Sequence, residues 1–314
     1  MINVPIAVNG KPRPSLEPEP LRLVAGGPAA MAVQSALRTG VERMARCVEP
    51  ARQGQVEGVH GMRTSTRRLR SALRTFRDVI DAEWAAPLQD ELHWLAGVLG
   101  AVRDLDVLRE RLLRAAGHSQ TTLAPLFRLL AEEHERASAT LRAVLQGERY
   151  KSLIERLEQA ALQPPLRADL KEIRRSELPK LARDPWKSLK KRGRALEPDD
   201  PDAAFHEVRK RAKRARYVAE DLIPLLNSHR GEEAKRYAKA ATRVQDLLGE
   251  HQDAVVAAGT ITRIVAAHDQ DVPFRRAADR LLKNQQRVAD RSRKRFFKVW
   301  DKLDRKKVRR WLKV

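Results

Sequence analysis

Apolar residues recur at three- and four-residue intervals along almost the whole chain after residue 28, and no stretch alternates apolar and polar positions between hairpin turns. One run shows the pattern. At about 100° per residue, Met62, Leu69, Leu73, Phe76 and Ile80 fall on one narrow helical stripe. The spacing predicts helices over 29–48, 55–81, 84–116 and 121–146, then over 149–194, 202–226, 230–268 and 274–300 or beyond. Gly54, Pro87 and Gly117 mark ends in the first half, and Pro164-Pro165 and Pro185 break up the segment 149–194. Pro198-Asp199-Asp200-Pro201-Asp202 predicts a turn and an acidic N-cap, Pro224 with Asn227-Ser228 a helix end, and Asp271-Val272-Pro273 a helix start. Residues 1–27 hold Pro5, Pro12, Pro14, Pro18, Pro20 and Gly26-Gly27, and read as an extended leader with no core of its own.

The chain also repeats itself. His60-Gly-Met-Arg63-Thr-Ser-Thr-Arg67-Arg68-Leu-Arg70 returns as His206-Glu-Val-Arg209-Lys-Arg-Ala-Lys213-Arg214-Ala-Arg216, 146 residues later. Leu99-Gly100-Ala-Val-Arg103-Asp104 returns as Leu248-Gly249-Glu-His-Gln252-Asp253, 149 residues later. Two motifs in one order at nearly one offset predict a duplicated unit of four helices. The fold class is therefore all-α, two four-helix bundles over 28–148 and 149–300, followed by a basic tail over 301–314.

Charge sharpens this picture. His60, Arg63, Arg67, Arg70, Arg74 and Arg77 lie within a sector of roughly 100° on the helix, away from the apolar stripe, with Arg68 flanking them. In the second copy His206, Arg209, Lys213 and Arg216 share a face, and Glu220 takes the place of Arg74. Like charges one turn apart repel by a few tenths of a kcal/mol per pair, about 5–6 Å from each other at Cβ. A polyanion converts that repulsion into binding, because guanidinium forks match phosphate oxygens. Asp78, Asp81, Glu220 and Asp221 offer the competing reading of local salt bridges.

The whole chain carries 63 Lys+Arg against 41 Asp+Glu, a formal charge of +22, which calls for counterions or a polyanionic partner such as nucleic acid, polyphosphate, an anionic membrane or an acidic protein. Cys47 is the only cysteine, so no disulfide within the chain and no site of several thiolates can form. No apolar run approaches the roughly 20 residues of a membrane span, and Met1–Val8 lacks the build of a signal peptide. A cytoplasmic location is expected.

The paired His60 and His206 motifs, with Leu99-Gly100 through Asp106 and Leu247-Leu248-Gly249-Glu250-His251-Gln252-Asp253-Ala254, resemble the CHAD (conserved histidine α-helical domain) family over about residues 28–300. The resemblance implies two pseudo-twofold bundles around a basic groove or pore that binds inorganic polyphosphate, often at polyphosphate granules. Carried onto matching positions, the ligand face uses His60, Arg63, Arg67, Arg68, Arg70 and Arg74, and His206, Arg209, Lys213, Arg214 and Arg216. Two departures stand out: Glu220 at the equivalent of Arg74, and Gln252 at that of Arg103, which puts a ligand role for Arg103 in doubt. Asp104 and Asp253 do match and are expected to hold arginines in place or to cap the bundle, rather than to catalyse. Bound phosphate should favour the imidazolium of His60 and His206, so affinity should rise as pH falls from about 8 to about 6.

No catalysis, cofactor or metal is expected. Some relatives carry a triphosphate-cleaving CYTH domain, but its Glu-x-Glu-x-Lys motif is absent here, as are a phosphate-binding Gly-x-x-x-x-Gly-Lys loop and a Gly-x-Ser-x-Gly elbow. The main alternative is sequence-nonspecific nucleic-acid binding. Residues 291–314 hold twelve Lys/Arg against two Asp, interrupted by Phe296, Phe297, Trp300, Leu303, Val308, Trp311 and Leu312. That segment reads as a packed extension of the last helix, as an amphipathic anchor or as a nucleic-acid arm, packing being preferred because Trp rings seek a core. Segment 180–194 adds Lys180, Arg183, Lys187, Lys190, Lys191, Arg192 and Arg194. An interaction scaffold at a granule is a third class. Oligomeric state is left open.

Overall fold

A computed structural model describes residues 27–167, 173–267 and 272–313. It is all-helical, with no named strand among the described residues. The helices are α1 Gly27–Arg52, α2 Val56–Thr75, α3 Ala82–Ala116, α4 Ala124–Gln146, α5 Glu148–Leu162, α6 Arg183–Arg194, α7 Asp202–Leu222, α8 Ser228–Ala267 and α9 Val272–Leu303. The expected leader lies outside the described residues except for Gly27, which opens α1.

The expected segment 149–194 is two helices. Pro164 and Pro165 lack the N–H that a continuing helix needs. The chain leaves α5 and pairs with the α2–α3 connection instead: Asp81 N–H donates to the Pro165 carbonyl at 2.9 Å and Arg167 N–H to Val79 at 3.1 Å. Asp81 also caps α3, accepting from the Trp84 N–H at 2.9 Å. Pro201, not an acid, holds the capping position of α7. Asp202 is engaged elsewhere, 3.0 Å from His251 and paired with Arg293, so it ties the start of α7 to α8 and α9.

α5 packs back onto α1 and α4, while α6, α7, α8 and α9 pack in chain order; α2 against α7 and α3 against α8 and α9 join the two groups. One apolar core runs through both groups, from Ala29 to Leu312. A second, smaller core holds together the far ends of α3, α4, α8 and α9 around Leu112, Leu126, Ile261 and Phe274. The two groups thus share one apolar interior.

The C-terminal segment packs. Beyond α9 the chain turns, and Trp311, 1% exposed, lies 5.6 Å from the Tyr237 ring centre. Arg183 Nε donates to the Leu312 carbonyl at 2.9 Å, closing the turn over α6. Trp186 and Trp300 stack beneath at 6.2 Å. Phe296, Trp300 and Trp311 are therefore core, Phe297 packs at its edge, and most of the tail's cations face water.

Candidate functional site

α2 and α7 lie side by side, and residues at equivalent repeat positions meet there. Thr75 Oγ1 donates to the Asp221 carboxylate at 3.1 Å, and the Arg67 and Lys213 charges act on each other. Each helix is anchored on its neighbour by the motifs seen in the sequence. Gly100 of α3 leaves room for Arg63, since a Cβ there would stand 2.5 Å from Nη1. Asp104, one turn on, then accepts from Arg63 Nη2 at 3.0 Å. In the second half Gly249 faces Arg209, whose charge holds down the carboxyl of Asp253 against the stronger upward pull of burial. The Leu-Gly-x-x-x-Asp motif is a socket for the first arginine of each basic helix.

Two cavities flank the α2–α7 pair. The larger, about 810 Å³, is a groove between α2, α6 and α7, floored by the α3 residues His93, Ala96 and Gly97. Ten Lys and Arg side chains line it against three carboxylates. The carboxylates are already engaged: Asp78 with Arg77 at 3.6 Å, Asp184 with Lys187 at 3.6 Å, and Glu207 with Lys210 and Arg211. Arg67, Arg70, Arg74, Lys213 and Arg214 make no ion pair among the described residues. Arg67 lies over the Tyr217 ring at 5.6 Å, with its buried Nε lacking a hydrogen-bond acceptor.

The electrostatics follow from that arrangement. Burial and then mutual repulsion push the pKa of Arg67 below its ordinary value, and those of Arg70 and Arg74 are lowered first by burial. Lys213 is brought down to about 8 by burial and by the charges of Arg67, Arg209, Arg63 and Arg70.

Of the eleven residues expected on the ligand face, Arg63, Arg67, Arg70, Arg74, Lys213 and Arg214 line the groove. Arg209 stands behind Lys213 in its α8 socket. His60 and His206 sit outside the groove toward the starts of α2 and α7. Partial burial, then the Arg103 and Arg67 charges, lower the pKa of His60. Burial lowers that of His206 against a hydrogen bond with Gln252. Of the repeat's mismatched pair, Arg103 thus acts on His60 through its charge and Gln252 on His206 through a hydrogen bond. Arg68 and Arg216 turn to the other flank, where Glu220 lies 3.5 Å from Arg68 and accepts from Arg216 at 2.9 Å. Arg216 also donates to Gln245 at 3.0 Å.

The groove also includes Arg77, the last member of the basic stripe read on α2, and Lys210, Arg211 and Lys180, which no basic stripe read from the sequence contained. Lys210, Arg211 and Arg214 form their own three- and four-residue row on α7. That row carried a signal of equal strength to the one headed by His206, and only the rotation of α7 against α6 selects it. The second cavity, about 410 Å³, lies between α1, α2 and the end of α7, with walls such as Met31, Ala36 and Phe76 and with Arg68, Glu220 and Asp221 on its polar side. Among the described residues no three His, Cys, Asp or Glu side chains gather as metal ligands. His251, fully buried, is bound to Asp202 and Arg293.

Comparison with known proteins agrees with this architecture. The CHAD domain family model matches residues 35–262. Two Mycobacterium tuberculosis proteins, uncharacterized protein Rv2226 of strain H37Rv and uncharacterized protein MT2285 of strain CDC 1551, are each 30% identical over 242 residues. The match takes in 73% of this chain and only 44% of theirs, so the chain spans about half the length of these relatives. A crystal structure of the CHAD domain from the plant Ricinus communis superposes with a TM-score of 0.66 at 28% identity, covering 90% of this chain and 95% of that one. PptA from Streptomyces chartreusis shares the fold with a TM-score of 0.71 at 22% identity, over 87% and 99% of the two chains.

Proposed function

We propose, from the premise that this chain belongs to the CHAD domain family, that it binds inorganic polyphosphate without catalysis, in the groove between α2, α6 and α7. One observation carries the reading: Arg67, Arg70, Arg74, Lys213 and Arg214 converge from two helices on one groove with no carboxylate partner among the described residues. Folding such a cluster costs electrostatic energy that a multivalent anion returns on binding. A flexible phosphate chain presents an acceptor group at every repeat, and the arginines present forks at a turn-by-turn spacing along α2. The groove's three carboxylates, each tied to a cation, supply structure rather than a free acid–base pair. No helix among the described residues is long and apolar enough to cross a membrane. A cytoplasmic role at polyphosphate granules belongs to the same reading.

Nucleic-acid binding is the second reading, favoured by the exposed cations of α6 and α9, such as Lys191, Arg192, Lys294, Arg295 and Lys298. Against it, Trp186, Phe205, Phe296, Trp300 and Trp311 are all buried, and beside the α9 cations only the half-buried Phe297 is left among the described aromatic residues, too little for a stacking platform. Calorimetric titration of the full chain with polyphosphate of defined length, repeated with excess double-stranded DNA, separates the two. Saturable binding that survives the DNA supports the groove. Binding erased by DNA of equal charge assigns the affinity to the general basic surface.

A further inference from the structure

Lys213 sits where the groove's guanidiniums crowd closest. It is half-buried on α7 and lines the cavity together with Arg63, Arg67 and Arg70, while Arg209 stands on its own helix one turn earlier. The acids that line the groove are bound to other cations, so none of them neutralises it. Among five crowded cations an arginine keeps its proton, and the lysine is the member that yields one. Burial and those four arginines bring its ammonium to about 8, against 10.5 for an ordinary lysine. The groove thus holds a partly neutral amine beside ready-made phosphate forks.

We infer that Lys213 is a covalent acylation site, and that its donors are small acyl phosphates whose phosphate end is held by Arg67 and the neighbouring arginines. The step balances without oxidant or reductant. The Nζ lone pair of the neutral amine attacks the carbonyl carbon, and the C–N bond forms. The bond from that carbon to the bridging oxygen breaks, and its electron pair leaves on inorganic phosphate. The proton released from the nitrogen passes to solvent. The product is a neutral amide in the centre of the groove, which would weaken polyanion binding by deleting one of its unpaired charges. This inference needs the groove to accept phosphate, and does not need polyphosphate to be its ligand.

The test uses the full chain and acetyl phosphate at about pH 7.5, with peptide mass mapping over time. Lys235 of α8, exposed, paired with Glu232 and outside the groove, is the internal reference. Lys213 should be acetylated on the order of tenfold faster than Lys235, because about a quarter of its amine is neutral at that pH against about one part in a thousand ordinarily, and lower basicity takes back part of the gain. Excess inorganic phosphate should slow Lys213 and leave Lys235 unchanged. Equal rates at the two lysines would overturn the inference, as would a fast Lys213 indifferent to phosphate. Protection of Lys213 by phosphate but not by polyphosphate would uphold the inference and count against the proposed function.

Discussion

The two cavities beside the α2–α7 pair are built from equivalent positions and have opposite characters. Arg211, Arg214 and Val218 line the groove where Ser65, Arg68 and Ala72, 146 residues earlier, line the smaller pocket. Arg74 and Thr75 of the groove correspond in turn to Glu220 and Asp221 of the pocket. On the groove side Arg67, Arg70, Arg74, Lys213 and Arg214 have no carboxylate partner among the described residues. On the pocket side one carboxylate, Glu220, collects Arg68 and Arg216 together. One acidic residue in place of an arginine is enough to convert a repelling stripe into a closed ion-pair network, so a repeated sequence motif yields a single-sided site. The cations that matter for binding are those whose charge is left over.

The largest expected effect tests that contrast directly. Arg67→Ala combined with Lys213→Ala should lower polyphosphate affinity by about 3–5 kcal/mol, since each charged contact contributes about 1.5–3 kcal/mol. Calorimetry should read that as a hundredfold loss or more. The thermal midpoint should hold or rise, because like-charge repulsion is removed. Arg68→Ala should do the reverse, changing affinity less than about threefold and lowering stability. Equal losses of affinity from both flanks would abolish the distinction between groove and pocket.

Next in size is Glu220→Gln, which strands two arginines. Denaturant unfolding should show a loss of about 2 kcal/mol, below the value for a fully buried pair because Glu220 is partly open to solvent. Polyphosphate binding should persist in this variant.

A smaller effect concerns Asp221, whose carboxyl burial pushes up to about 7 against the hydrogen bonds from Thr75 and Ser71. A carboxyl with a folded pKa above its unfolded value of 3.8 stabilises the fold most fully below that value and loses the contribution as pH rises through about 7. Unfolding free energy should therefore fall as pH rises from about 4 to about 7, and Asp221→Asn should flatten the slope.

The smallest effect is a fraction of a proton. Free Lys213 is partly neutral near pH 8, and a bound polyanion should restore its charge. Titration near pH 8 in buffers of different ionisation enthalpy should reveal net proton uptake, and affinity should weaken as pH rises above 8. The depressed pKa values of His60 and His206 add a second uptake at lower pH if their imidazoles sense the ligand. Lys213→Arg should remove the uptake near pH 8 while retaining binding.

Much of the fold was legible because it rests on local periodicity. The all-helical class and the basic stripe of α2 follow from spacing within single helices, whereas the socket that Gly100 and Asp104 form for Arg63 appears only in the packing of α2 on α3. The stripe on α7 was read less well. Its two basic rows, one through Arg209 and Lys213 and one through Lys210, Arg211 and Arg214, lie on neighbouring faces, and periodicity gives them equal standing. For the aromatic tail, packing was the preferred reading, but its partner came only with the fold, where Trp311 meets Tyr237, 74 positions away.

The sequence by itself determined the helical class, the excess of positive charge and the repetition of the arginine and Leu-Gly motifs, because these are properties of residue spacing along the chain. Tertiary structure alone decided which cations remain unpaired. That depends on how α7 is rotated between α2 and α6, on the turn of Arg68 and Arg216 toward Glu220, and on the engagement of the groove's own acids. Charge neutralisation is a property of three-dimensional neighbours, and no reading along the chain counts them.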